Sequence, residues 1–373
     1  MDREALARTD RVPHGGVSDR SVVDFSANTN PESPAGVTPV YDAARAAARR
    51  YPSDDYAEFR TAAGEYLDCD PQRVIPTAGA LAGIRLVCAL AVDPGDRVLL
   101  PEPSFGEYAR EVRLQGGTPE FVPHDAVLDA DPAGYALAIV CTPNNPTGEL
   151  LPRCDREAFA ARCRAADTPL LVDEAFLDFT DASSLAPQPG VVVARSLTKV
   201  FGLPGLRAGF LVATGEWRDA LETARPAWGL STPAAAVGAH CLGQAAFLER
   251  TRERVASERD RMADRLASRF TVRPSDAPFL LVDVSAADVS TADVSTVNGA
   301  DVDAEDRADA EDCVDTEDRA DADVDGVDAL LANARAAGYA LRDARTFRTL
   351  ESHVRIAVRR PAENDGVLEA LDV

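Results

Sequence analysis

Of the 39 lysine and arginine side chains in this 373-residue sequence, only one is a lysine, Lys199. Histidine is almost as scarce. The four residues at 14, 124, 240 and 353 show no metal-ligand spacing, so no metal centre is expected. The seven cysteines are odd in number and form no C-x-x-C pair, which argues against both a disulfide framework and a zinc site. No apolar run approaches the ~20 residues needed to span a bilayer. Met1-Asp2-Arg3-Glu4 lacks the charged-then-apolar pattern of a signal peptide, so a cytoplasmic location is expected. Positive charge is also in deficit: the formal net charge is −23 and the pI about 4.6. Surfaces that bind nucleic acid or anionic membranes are basic, so neither partner is expected.

What is present is acid, alanine and enough apolar content, 46%, for a globular protein with two domains. Acid in excess of lysine suits a salty, halophilic cytoplasm, and a genome rich in Ala, Arg, Asp and Gly codons gives the same composition. A polyanionic surface repels itself until salt screens it. The melting temperature is therefore expected to rise between low and molar KCl; a flat profile would contradict this.

A lone lysine among arginines points to work that a guanidinium cannot do. A neutral amine bonds to an aldehyde as a Schiff base, whereas arginine stays protonated. Lys199 lies in Ser196-Leu197-Thr198-Lys199, followed by Gly202-Leu203-Pro204-Gly205 and Arg207. Two hydroxyls, a glycine turn and a second cation are what an imine beside a phosphate dianion needs, which points to pyridoxal 5′-phosphate.

The chain around this segment reads as α/β. Short apolar runs (Val98–Leu100, Leu137–Val140, Leu170–Val172, Val191–Val193, Phe210–Val212) alternate with helical periodicity over 80–92, 104–115 and 153–166. Strands buried on both faces with helices between them predict a largely parallel sheet, whose ligands lie at the carboxyl ends of the strands. Helices are also expected over 38–50 and 54–67, over a long and kinked 232–268, and over about 327–337 and 361–371. Further strands are expected at 279–283 and 354–358. Residues 284–326 are low in complexity: Ala-Asp-Val-Ser-Thr occurs at 287–291 and again at 292–296. Such an acidic tract buries too little apolar surface to offset its ordering entropy and is expected to be a disordered insertion. A calcium loop there lacks the glycine and closing glutamate of an EF-hand.

The strand ends supply what the cofactor demands. Asp173 suits a protonated pyridine nitrogen, and Phe105 and Asn145 suit ring stacking and O3′. Backbone N–H groups at Gly79 and Ala80, with Ser196, Thr198 and Arg207, suit the phosphate. Arg355 or Arg342 offers a fork for a substrate carboxylate. Taken singly, each has an ordinary structural use; it is their order along an α/β pattern that carries weight.

Thr142-Pro143-Asn144-Asn145-Pro146-Thr147-Gly148, Val172-Asp173-Glu174-Ala175, Ser196-Leu197-Thr198-Lys199 and Pro204-Gly205-Leu206-Arg207 resemble the class I/II aminotransferases of PLP fold type I. The resemblance spans nearly the whole chain except the acidic tract. Within that superfamily the chain is similar to histidinol-phosphate aminotransferases and to L-threonine-O-3-phosphate decarboxylases. Four features lean to the second: His14-Gly15-Gly16, Asp24 to Pro31, Phe176 where the aminotransferase branch usually has tyrosine, and Leu341-Arg342 ahead of Val354-Arg355. The asparagine that often follows His-Gly-Gly is Val17 here.

The resemblance implies a seven-stranded-type sheet in a large domain (41–255), an N-terminal arm (1–40) joining a small α+β domain (256–373), and a homodimer with shared active sites. By the same resemblance Lys199 holds pyridoxal 5′-phosphate, Asp173 pairs with its ring nitrogen, Asn145 meets O3′, and Phe105 stacks on the ring. Ser196, Thr198, Arg207 and the Gly79 turn bind the phosphate, with Tyr51 reaching it from the partner subunit. Arg355, with Arg342, is expected to bind the substrate carboxylate, and His14 and Asn28 the phosphate of a phosphorylated amino acid. The implied reaction is decarboxylation of L-threonine O-3-phosphate in cobalamin biosynthesis; the alternative is transamination of histidinol phosphate.

Overall fold

The structure, a computed structural model, describes residues 1–287 and 322–373. Its centre is a seven-stranded sheet built from β2 (Val74–Thr77), β3 (Arg97–Glu102), β4 (Thr118–Pro123), β5 (Leu137–Cys141), β6 (Leu170–Asp173), β7 (Val191–Ser196) and β8 (Gly209–Val212). The spatial order is β2-β8-β7-β6-β5-β3-β4, and only β8 runs antiparallel to its neighbours. The expected mostly parallel sheet is thus present.

Alternation along each strand explains why both faces are covered. Leu99, Val140, Val172, Val193 and Phe210 enter one apolar cluster; Leu100, Ile139, Leu171, Val192 and Leu211 enter the other. Helices α3 (Ala57–Leu67), α9 (Thr232–Leu242) and α10 (Ala245–Leu266) close the first face. Helices α4 (Ala80–Ala91), α5 (Glu107–Leu114) and α8 (Gly215–Ala224) close the second. Helix α2 (Val37–Ala47) packs on α9, and α6 (Arg153–Ala165) on the first face.

A smaller antiparallel sheet, β12 (Arg342–Asp343), β13 (His353–Ala357), β10 (Phe279–Asp283) and β9 (Thr271–Val272), stands beside it with α11 (Ala322–Ala336) and α12 (Pro361–Ala370). The first apolar cluster runs on into this unit: Phe176 meets Phe279 edge to face at 5.2 Å. The amino-terminal segment carries α1 (Arg3–Leu6) and then β1 (Val23–Asp24), which pairs in parallel with β11 (Tyr339–Ala340).

Several expectations shift. The single long helix over 232–268 is two, broken at Gly243-Gln244. Strand β4 and helix α8 were not anticipated. The helix expected from about 327 starts at Ala322, while Val284 and Val327 are buried in the core. The low-complexity tract 284–326 therefore has both ends in folded structure. The expected disorder of its middle, 288–321, falls outside the described residues.

Candidate active site

Four loops leave the carboxyl ends of β3, β5, β6 and β7 on the same side of the sheet, and the small sheet and the amino-terminal segment close over them. The result is a cavity of about 320 Å3, within the range of small-molecule sites. Lys199, Asp173, Asn145, Phe105, Ala80, Ser196, Thr198, Arg207, Arg342, Arg355, His14 and Asn28 all line it, although they lie as far apart in sequence as 14 and 355.

Lys199 sits on the one-turn helix α7 (Leu197–Val200) that follows β7. The turn is held from the amino-terminal segment: the Asn30 backbone N–H donates to the Lys199 carbonyl (3.0 Å), and its side-chain amide to the Val200 carbonyl (2.7 Å). The Lys199 amine faces the Phe176 ring at 5.6 Å and forms no ion pair with a described residue. Burial, with Arg355 and Arg207 nearby, outweighs the pull of Asp173 and pushes its pKa down to about 8. Much more neutral amine is therefore present at neutral pH than for an exposed lysine. The rate at which the free protein bonds pyridoxal 5′-phosphate is expected to rise with pH through a midpoint near 8. A midpoint at the ordinary lysine value would contradict the site's electrostatics; absorbance stopped-flow reads it directly.

Asp173 ends β6, buried. Its Oδ1 accepts from the Ala175 N–H (3.0 Å) and its Oδ2 from the Tyr108 hydroxyl (2.6 Å). Burial raises its pKa, and those two hydrogen bonds and Lys199 work the other way. The ends of β6 and β7 are stapled together by Arg195, whose Nη1 donates to Glu174 Oε2 at 2.9 Å and whose Nη2 donates to Asp178 Oδ1. All three are buried.

Ser196 and Thr198 share a hydroxyl hydrogen bond at 2.8 Å, and α4 points its first turn into the same corner. Gly79, the residue before α4, has φ +87°, and a Cβ on it would meet Arg207 Nη2 at 2.5 Å. A side chain at that φ is strained and its Cβ would crowd the guanidinium, so glycine suits the position, although its own N–H is donated to the Thr77 carbonyl at 2.8 Å. Opposite, Arg355 and Arg342 are direct cross-strand partners on β13 and β12. Arg355 donates to Asn145 Oδ1 (2.5 Å) and the Ser26 carbonyl (2.8 Å); Arg342 donates to the Pro13 carbonyl and Thr346 Oγ1. Burial and Arg342 push the Arg355 pKa down, and neither arginine has an ion pair among the described residues. The buried Asn28 Oδ1 has no hydrogen-bond partner among them either. His14 contacts Glu107 at 2.9 Å.

Tyr51 is not in the cavity. It is 80% exposed and packs against Trp228 with 4.7 Å between ring centres and the rings tilted by 33°. Sequence reading also missed Tyr108 and Arg195. Tyr108 lies one helical turn beyond Phe105, and Arg195 is a charge at the end of the apolar run Val191-Val192-Val193-Ala194; both spacings were available as signals.

The family model for aminotransferase class I and II matches residues 20–371. A histidinol-phosphate aminotransferase of Archaeoglobus fulgidus is 29% identical over 366 residues, covering 95% of this chain and 93% of that protein. Among solved structures, L-threonine-O-3-phosphate decarboxylase from Porphyromonas gingivalis superimposes with a TM-score of 0.76 at 22% identity, covering 93% and 98% of the two chains. Histidinol-phosphate aminotransferase from Sinorhizobium meliloti, solved in complex with pyridoxal-5′-phosphate, gives 0.75 at 21%, covering 92% and 88%.

Members of this family use pyridoxal 5′-phosphate. When bound, that group supplies an aldehyde carbon for a lysine amine and a ring that accepts electrons from a substrate bond. The cavity fits it: a poised amine, a buried carboxylate, an aromatic face at Phe105, and a glycine cradle with hydroxyls and a guanidinium for a phosphate. From residue 20 to residue 371, over both sheets and around this cavity, the chain belongs to the class I and II aminotransferase family.

Proposed function

We propose that this protein removes the carboxylate of L-threonine O-3-phosphate, giving (R)-1-aminopropan-2-ol O-phosphate, with pyridoxal 5′-phosphate as cofactor, a reaction of cobalamin biosynthesis. In this reading Lys199 bonds the cofactor and Asp173 faces its ring nitrogen. Asn145 and Phe105 meet its O3′ and ring face; Ser196, Thr198, Arg207 and the Gly79–Ala80 backbone take its phosphate. A second copy of the chain brings Tyr51 to that phosphate, making a homodimer with shared sites.

The observation that carries the substrate is the arginine pair. Two guanidiniums face the cavity side by side without a carboxylate between them, and the sole acid among the described lining residues is Asp173. Arginine stays charged, so the pair is an unmet demand for anions. An amino acid phosphate brings two anionic groups, a carboxylate for Arg355 with Arg342 and a phosphate for His14 and Asn28. Histidinol phosphate itself has no carboxylate, and in its transamination only the keto acid would bring one to the pair. A carboxylate held by Arg355 can stand perpendicular to the cofactor ring, the orientation in which its bond to Cα breaks. Lys199, or water, then returns a proton to Cα.

The relative from Archaeoglobus favours a second reading, transfer of the amino group of histidinol phosphate to a keto acid. The two separate cleanly in solution. Purified protein given L-threonine phosphate and no keto acid should release CO2 at a steady rate. Turnover of histidinol phosphate that needs 2-oxoglutarate, with no CO2 from threonine phosphate, would replace the first reading by the second. Arg355→Gln should raise KM for threonine phosphate by about 100-fold, the loss of two charged hydrogen bonds. An unchanged KM would remove Arg355 from the substrate.

A further inference from the structure

Tyr108 has no place in the roles assigned so far, yet it touches two of the residues that carry them. It lies on α5 and is wholly buried; its ring meets Phe105 edge to face at 5.5 Å, and its hydroxyl donates to Asp173 Oδ2 at 2.6 Å. Helix α5 begins just after β3, so Phe105 at its entrance and Tyr108 one turn on share a face toward the cavity. One side chain thus backs the aromatic surface and fixes the carboxylate.

We propose that Tyr108 is a positioning residue for the cofactor, keeping Asp173 charged and turned to the cavity so that it can hold a protonated pyridine nitrogen. The proposal rests on the cofactor reading above. The physical case is one of competing terms. A carboxylate in an apolar strand end is driven toward its neutral form by lost hydration, and donors to its oxygens oppose this. Asp173 has two donors, the Ala175 N–H and the Tyr108 hydroxyl. The other titratable groups acting on it are Lys199, which favours the charge, Glu174, which opposes it, and Cys141, its register neighbour on β5. Of the two donors, the hydroxyl is the one that a side-chain substitution removes. A neutral Asp173 has no charge to offer a pyridinium, so the cofactor is held less well wherever Asp173 is protonated.

The test measures pyridoxal 5′-phosphate binding by absorbance titration across pH in full-length Lys199→Ala protein, with and without Tyr108→Phe. The lysine substitution removes the amine's own titration, and the cofactor's titration is common to both chains. Tyr108→Phe should move the acid limb of binding upward by about one pH unit and weaken binding near neutrality about tenfold. In an Asp173→Asn background the same change should do nothing further. An unmoved limb, or an equal loss without Asp173, overturns the proposal while leaving the cofactor reading intact. If neither chain binds pyridoxal phosphate, the cofactor reading falls and the proposal with it. If Tyr108→Phe fails to fold, Tyr108→Met fills the space without a donor and is read the same way.

Discussion

Lys199→Ala should lower turnover by about a million-fold, the scale on which an enzyme fails when its covalent catalyst is removed. Lys199→Arg should fare no better, although it keeps the charge and most of the length, because a guanidinium does not give up a proton at working pH. This comparison distinguishes bonding from electrostatics. Were Lys199 present only to offset Asp173, arginine would preserve much of the activity. Both variants should lose the visible absorbance of lysine-bound cofactor, and borohydride should no longer fix pyridoxal phosphate to the peptide containing residue 199. A Lys199→Arg protein with more than a small fraction of wild-type turnover would end the covalent account.

The second large effect concerns stability. Arg195 is buried with Glu174 and Asp178, and Tyr66 donates its hydroxyl to the same Asp178 oxygen. Ser184 Oγ and the Leu185 N–H donate to Glu174 at 2.6 and 2.9 Å. Arg195→Met would leave two buried carboxylates without their cation, at a cost of about 3–5 kcal/mol, the range seen when one partner of a buried ion pair is removed. Denaturant melts should show it, and adding Glu174→Gln with Asp178→Asn should restore part of the loss. A change under about 1 kcal/mol would mean that water or a shifted side chain replaces the guanidinium. The variant should also handle cofactor poorly, since Arg195 ties the strand ending in Asp173 to the strand leading to Lys199.

The strand ends were legible because parallel strands buried on both faces read as unbroken apolar runs, and the residues after them are polar where ligands sit. Leu170-Leu171-Val172 followed by Asp173 reads as a site once the other strand ends carry polar residues in the same order. Strand β4 was not legible for the converse reason. Its sequence, Thr118-Pro119-Glu120-Phe121-Val122-Pro123, carries two prolines, which an interior strand does not tolerate but an edge strand paired only with β3 does. Helix α8, Gly215–Ala224, is amphipathic but short and charged, and it follows so closely on β8 that nothing in the spacing marks it off. The break at Gly243-Gln244 was expected only as a kink, because helical periodicity resumes immediately beyond it. Within the site, the residues named from sequence line the cavity except Tyr51 and Gly79, and Gly79 lies directly against Arg207. Spacing marked the positions of the residues that support them but not the partners of those residues. Tyr108 bonds Asp173 from behind, and Arg195 bonds Glu174 and Asp178 across neighbouring strand ends; contacts of that kind depend on which elements lie side by side.

The contacting pair Tyr51 and Trp228 also makes the protein its own optical probe. The chain has two indoles; Trp217 packs partly buried beside the second apolar cluster, while Trp228 is half exposed. Covering the Tyr51 face with another polypeptide would strip water from Trp228 and shift its emission to the blue, leaving Trp217 nearly silent. A dilution series followed by intrinsic fluorescence would then report association at that face without a label.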